Sequence, residues 1–175
     1  MSSATFHDPA VARLVERAYL AGGVDSHMPP IRLGQRLAVY VAAPLAQRSV
    51  AEHFAAALRN HGFAVVSRWH RSSDARDPSS DAERFRVLSG NIADLERCDA
   101  MLALCHAGTP RATFGEITWT LRQQKPVVWA HHADGSGRNI FDAHKLVRRV
   151  VFDGSNAVGR IIAELDALAR ERDAS

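Results

Sequence analysis

Cysteine is scarce in this chain of 175 residues: it has two, Cys98 and Cys105. Their spacing fits neither a redox pair nor a zinc site, and no further ligands lie nearby, so both are expected as reduced, packed thiols in a cytoplasmic protein. Aromatic residues make up 7% and are not interleaved with basic ones as in an RNA-binding sheet. No block of one charge sign appears. Lys and Arg outnumber Asp and Glu by 22 to 19, and the cations are spread along the chain, so nucleic acid is not expected as a partner. No apolar run approaches the roughly 18 residues of a membrane span. The N-terminus, MSSATFHDPA, has neither the basic nor the apolar region of a secretory leader. Three chemistries lack their motifs: the G-x-x-x-x-G-K-S/T phosphate loop, the G-x-G-x-x-G dinucleotide turn and the G-x-S-x-G nucleophile elbow. A phosphate-accepting receiver needs acids at the ends of its first and third strands, and here those ends read Ala42-Ala43-Pro44 and Leu104-Cys105-His106.

What is present is a core-forming share of apolar residues, 46%, distributed with a clear period. Residues 1–34 read as an N-terminal helical arm and linker. Asp8-Pro9 starts a helix, Val11, Leu14, Val15 and Ala18 recur at helical spacing, and Gly22-Gly23 stops it. The domain proper covers 35–175. Its expected strands are 37–42, 63–66, 99–104, 126–129 and 150–152, each a short apolar run. Between them, Val50, Phe54 and Leu58 mark one helix, and Phe85, Leu88, Ile92 and Leu95 a second. Phe114, Ile117 and Leu121 mark a third, and Val158, Ile161, Ile162, Leu165 and Leu168 a last one. Strands apolar on both faces that alternate with helices predict an α/β fold. The form expected is a flavodoxin/Rossmann-like doubly wound sheet of about five parallel strands, order 2-1-3-4-5, with helices on both faces. Such sheets bind ligands at the carboxyl ends of their strands, so the turns after Ala42, Val66, Leu104 and Trp129 are the places to look.

His131-His132 raises the question of a metal. Neighbouring strand residues point to opposite faces, and no carboxylate or cysteine stands at ligand spacing, so neither a metal nor a cofactor is expected. Thr113-Phe114-Gly115-Glu116 admits two readings. In the first, Thr113 caps the helix and Glu116 reaches back to the Thr113 amide, a capping box that contributes about 1 kcal/mol and no chemistry. In the second, Gly115 leaves room for a molecule that approaches the backbone, because glycine in a first helical turn otherwise costs up to about 1 kcal/mol.

From about residue 37 to 152 the chain resembles the nucleoside 2-deoxyribosyltransferase family and its nucleotide N-glycosidase relatives. Tyr40-Val41-Ala42-Ala43-Pro44-Leu45 is similar to the family's first-strand segment, Tyr-Leu-Ala-Gly-Pro. Ser67-Arg68-Trp69 follows the second strand as in some members, and Asp94 to Asp99 resembles the acidic segment before strand three. Thr113 to Ile117, followed by Lys125-Pro126-Val127, resembles the segment that carries the family's nucleophile. The resemblance implies that Glu116 is that nucleophile. It places Tyr40, Ala42, Pro44, Trp69, Thr113 and Gly115 around the substrate. The chemistry is coherent: a carboxylate beneath the anomeric carbon stabilises an oxocarbenium-like sugar and can form a glycosyl ester.

Three positions depart from the pattern. The family's second carboxylate falls on Asn91, which has no titratable proton to give, and Asp94, one turn away, is the substitute to consider. Pro110 stands where transferases commonly have Asp. Ala43 replaces a glycine. The function expected is therefore cleavage of a nucleoside or nucleotide N-glycosidic bond, or deoxyribosyl transfer, with Glu116, Asn91 and Asp94 as catalytic candidates. The alternatives are a non-catalytic nucleotide-binding module, and a glycosidase acting on another ribosyl bond such as nicotinamide–ribose. The apolar stripe of the arm, together with the family's habit of building sites at subunit contacts, predicts a homo-oligomer.

Overall fold

The computed structural model describes residues 37–71, 80–105, 111–133, 140–152 and 156–174. The arm predicted over 1–34 lies outside the described residues. Five strands form one sheet: β1 Ala38–Ala42, β2 Ala64–Val65, β3 Ala100–Leu104, β4 Val127–His132 and β5 Val147–Phe152. All pairings are parallel and the order is β2-β1-β3-β4-β5. Among the described residues, four α-helices cover it: α1 Arg48–Asn60, α2 Asp81–Arg97, α3 Arg111–Arg122 and α4 Ala157–Asp173. This is the doubly wound α/β sheet that the periodicity predicts.

The alternation of side chains along the strands makes two cores. Val39, Val41, Leu102, Leu104, Val128 and Ala130 face α1 and α4, where Phe54, Leu58, Ile161 and Leu165 close against them. Tyr40, Ala42, Met101, Ala103 and Trp129 face the opposite way, towards Leu95 of α2 and Ile117 and Leu121 of α3. The second core holds Tyr40, whose polar side chain is fully buried.

Strands β1 and β3 each begin one residue later than the sequence reading has them and β2 is one residue shorter at each end; three elements differ by more. Strands β4 and β5 are longer than their apolar runs, pairing from Val127↔Val147 to His132↔Phe152. Hydropathy misses these ends because the added residues include His131, His132, Arg148 and Arg149, which find polar partners. Arg149 Nε donates to His131 Nε2 over 2.7 Å, and Arg148 pairs with Glu164 and Glu171 of α4. Helix α2 begins four residues before Phe85, with Ser80 Oγ accepting the Glu83 amide at 3.2 Å.

The expected inward stripe of α2 is corrected by the structure. Leu95 is buried, but Phe85 is 71% and Leu88 57% exposed. The cause is length. Seventeen residues of helix span about 25 Å, whereas a five-residue strand spans about 17 Å, so the first turns of α2 have no sheet beneath them.

Candidate active site at the carboxyl end of β1

The parallel ladder between β1 and β2 is short. Val39 pairs with Val65, and the Val66 amide still bonds the Val39 carbonyl at 3.0 Å. The next outward-facing residue of β1 is Val41, and β2 supplies it no backbone partner. Two side chains take over. Ser67 Oγ accepts the Val41 amide at 3.1 Å, and Trp69 Nε1 donates to the Val41 carbonyl at 2.8 Å. The strand end that carries Tyr40 and Ala42 is thus held in place after the ladder has stopped. Pro44, also buried, then turns the chain, its carbonyl accepting the Gln47 amide at 2.8 Å.

On the inner face of that strand end, Tyr40 Oη donates to Glu116 Oε1 over 2.7 Å. The two residues are 76 apart in sequence and come together because α3 packs across β3 onto the face of β1 that Tyr40 occupies. Burial drives the Glu116 carboxyl up from 4.5 to about 7, and the Tyr40 hydrogen bond opposes part of that rise. Burial also raises the Tyr40 hydroxyl far above its ordinary value, with the charges of Glu116 and Asp94 adding to the effect. The hydroxyl therefore stays protonated and remains a donor. A half-buried carboxylate poised near neutrality and oriented by a fixed phenol is an arrangement that suits a nucleophile or base.

The capping-box reading of Thr113 and Glu116 is overturned here. Helix α3 starts at Arg111, so Thr113 is inside the helix rather than at its cap, and it is buried. Glu116 spends its Oε1 on Tyr40 rather than reaching back. Gly115 faces outward, and a Cβ built on it would meet no described atom within 4 Å, so protein packing does not demand glycine there.

Asp94 lies 1% exposed at the inner end of α2. It accepts the Arg68 amide at 3.2 Å and Arg68 Nε at 3.0 Å, and Arg97 Nη2 closes on the same carboxylate. Both oxygens are occupied by donors. Asp94 ties the Ser67–Arg71 segment to α2, and the arrangement offers no free oxygen for a leaving base. Asn91 is half-buried one turn earlier on α2. Trp69 is half-buried with its ring fixed through Val41. The structure therefore brings Tyr40 and Glu116 into contact, sets Asp94 near Tyr40 as an anchor, and keeps Trp69 on the neighbouring turn.

Residues that the sequence reading missed cluster around that turn. His70 is buried, with Nε2 at 3.1 Å from Ser67 Oγ and Nδ1 against Glu52 of α1. Arg48 Nε donates to the His70 carbonyl at 2.7 Å. The one sequence signal was the polar run after a very short strand, which has to find its partners somewhere.

No family model matches the chain, and no curated protein matches it by sequence. Among solved structures, a CMP N-glycosidase of Clostridium botulinum, BcmB, is similar at a TM-score of 0.51. The identity is 16%, and the likeness covers 74% of this chain and 98% of that one. It is a likeness of fold.

Proposed function

We propose that the protein acts on the N-glycosidic bond of a nucleoside or nucleotide, with Glu116 as nucleophile. The observation that carries this reading is the hydrogen bond from buried Tyr40 to half-buried Glu116 at the carboxyl end of β1, in a fold similar to that of a CMP N-glycosidase. With Oε1 held by Tyr40, Oε2 is the oxygen left to approach the sugar. As the bond from the anomeric carbon to the base nitrogen breaks, its electron pair leaves with the base. Oε2 bonds to the same carbon, giving a glycosyl ester. Water then releases the free sugar, or a second base accepts it and the reaction is a transfer.

The leaving base needs a proton unless it departs neutral. Asn91 has none to give and Asp94 is engaged by Arg68 and Arg97. This favours bases that are cationic in the substrate or easily protonated by solvent, which is the observation in favour of the second reading, a nicotinamide–ribose bond. A third reading, binding without turnover, also draws on Asn91. A panel of nucleosides, nucleoside 5′-monophosphates including CMP, and a nicotinamide nucleotide separates them. Base release that falls by at least about 100-fold in Glu116→Gln supports the nucleophile. Binding without release in the wild type identifies a binding module. Release unchanged in Glu116→Gln contradicts the nucleophile. In the same panel, Asn91→Asp is expected to raise turnover on ordinary nucleosides, since general acid catalysis contributes about 10²- to 10⁴-fold. No gain would mean that the proton comes from elsewhere.

The homo-oligomer remains a proposal. Its support is the apolar side chains of Phe85 and Leu88, exposed one turn apart on α2. Light scattering at micromolar concentration checks it, and a monomer contradicts it.

A further inference from the structure

We propose that Glu52, His70 and Ser67 form a relay, buried at His70 and Ser67 and open to solvent at Glu52, that positions the carboxyl end of β1, and through it Tyr40 and Glu116, for the reaction proposed above. The inference rests on that reading of the site. It deepens the reading by assigning three residues that touch neither the sugar nor Glu116.

The order of the hydrogen bonds follows from chemistry. Glu52 is a carboxylate and can only accept, so His70 Nδ1 carries the proton between them. In the neutral ring Nε2 is then bare, and it accepts the Ser67 hydroxyl at 3.1 Å. With its proton so committed, Ser67 Oγ turns a lone pair to the Val41 amide, again at 3.1 Å. Val41 adjoins Tyr40, whose hydroxyl holds Glu116. The chain of contacts therefore runs from α1 to the nucleophile without a gap.

The acid–imidazole–hydroxyl order is that of a serine hydrolase, but the surroundings assign another task. Ser67 is 1% and His70 2% exposed, so no substrate carbonyl can reach the hydroxyl. The serine oxygen is already turned to a backbone amide of the strand. What the relay does is supply the ladder rung that β2 does not reach, with a geometry fixed by three side chains rather than one.

The charged groups facing His70 are Glu52 and Arg59 from α1, Arg48 of the same helix through the His70 carbonyl, and Arg71 on its own turn. Burial keeps the imidazole below its ordinary 6.5, with Glu52 opposing and Arg59 and Arg71 reinforcing that depression. The ring is thus neutral at neutral pH, as the relay needs. Protonation would turn Nε2 into a donor and leave the Ser67 hydroxyl without its acceptor.

The test uses the full chain with Ser67→Ala, His70→Leu and the double variant. Each single variant is expected to lower kcat by about 10- to 100-fold with little change in KM, and the double variant to be no worse than the poorer single one. As pH falls through 7 the wild type is expected to lose kcat with one proton, at Glu116, and then more steeply at lower pH as His70 protonates, whereas Ser67→Ala shows the first loss alone. The Val41 amide is expected to exchange with deuterium at least about tenfold faster in both single variants, while Val128 is unchanged. Turnover within twofold of wild type in Ser67→Ala, or losses that multiply in the double variant, would overturn the proposal. Unchanged exchange at Val41 overturns it whatever the turnover. If the wild type releases no base at all, the reading of the site fails on its own, and the exchange at Val41 still decides whether the relay holds the strand.

Discussion

The charge on Glu116 has a cost that can be measured without any substrate. Its carboxyl sits at about 7 in the folded chain because burial disfavours the charged form, against an ordinary value of 4.5. A carboxyl raised on folding favours the native state while it is protonated. That contribution is whole below pH 4.5 and is lost as pH rises through 7. The wild type is therefore expected to lose stability over that window, by an amount on the order of 3 kcal/mol in the simplest linkage estimate. Urea unfolding at pH 5 and pH 8 checks this. Glu116→Gln is expected to flatten the difference, and an equally large pH effect in that variant would place its origin elsewhere. Tyr40→Phe tests the partner. Removing the hydroxyl takes away the donor that favours the carboxylate, so the acid limb of the rate profile should move above 7. A limb that stays put would mean the phenol does not tune Glu116.

Among the elements, the segment from Ser67 to Arg71 does most to shape the site, although it is irregular. It gives Val41 two side-chain partners, gives Asp94 an amide and a guanidinium, and packs His70 beneath α1. Asp94→Asn weakens the charge-assisted bonds from Arg68 and Arg97 and is expected to cost about 2 kcal/mol of stability. If Asp94 anchors this segment, thermal unfolding should register the change more strongly than turnover does. A loss of turnover with stability intact would instead assign it a proton-transfer role. This element also marks where the sequence stopped being legible. The strands and helices could be read because burial imposes a period, and Val39, Val41, Leu102 and Leu104 show it. Glu116 and Tyr40 were found through the resemblance of their segments. Ser67, His70 and Glu52 carry no period, and their partnership depends on where a two-residue strand happens to end. The capping-box reading of Thr113 failed for a related reason: local spacing cannot show that Tyr40 competes for the same carboxylate.

At the scale of the whole molecule, the two cores divide the work. The core under α1 and α4 packs aliphatic and phenylalanine side chains beside buried Ser67 and His70, whereas the one under α2 and α3 contains the buried Tyr40 phenol and borders the carboxylate it holds. Placing that pair at the carboxyl edge of a parallel sheet follows the general location of ligand sites in doubly wound folds. The central claim is that a sugar sits against Glu116. A crystal structure of Glu116→Gln with a bound nucleoside or nucleotide tests it most directly, because the variant keeps the shape and leaves the substrate intact. The account predicts the anomeric carbon within about 3.5 Å of the position of Oε2, with the base on the far side of the sugar from it. A ligand held elsewhere in the chain, or one whose base rather than sugar lies against residue 116, would contradict it.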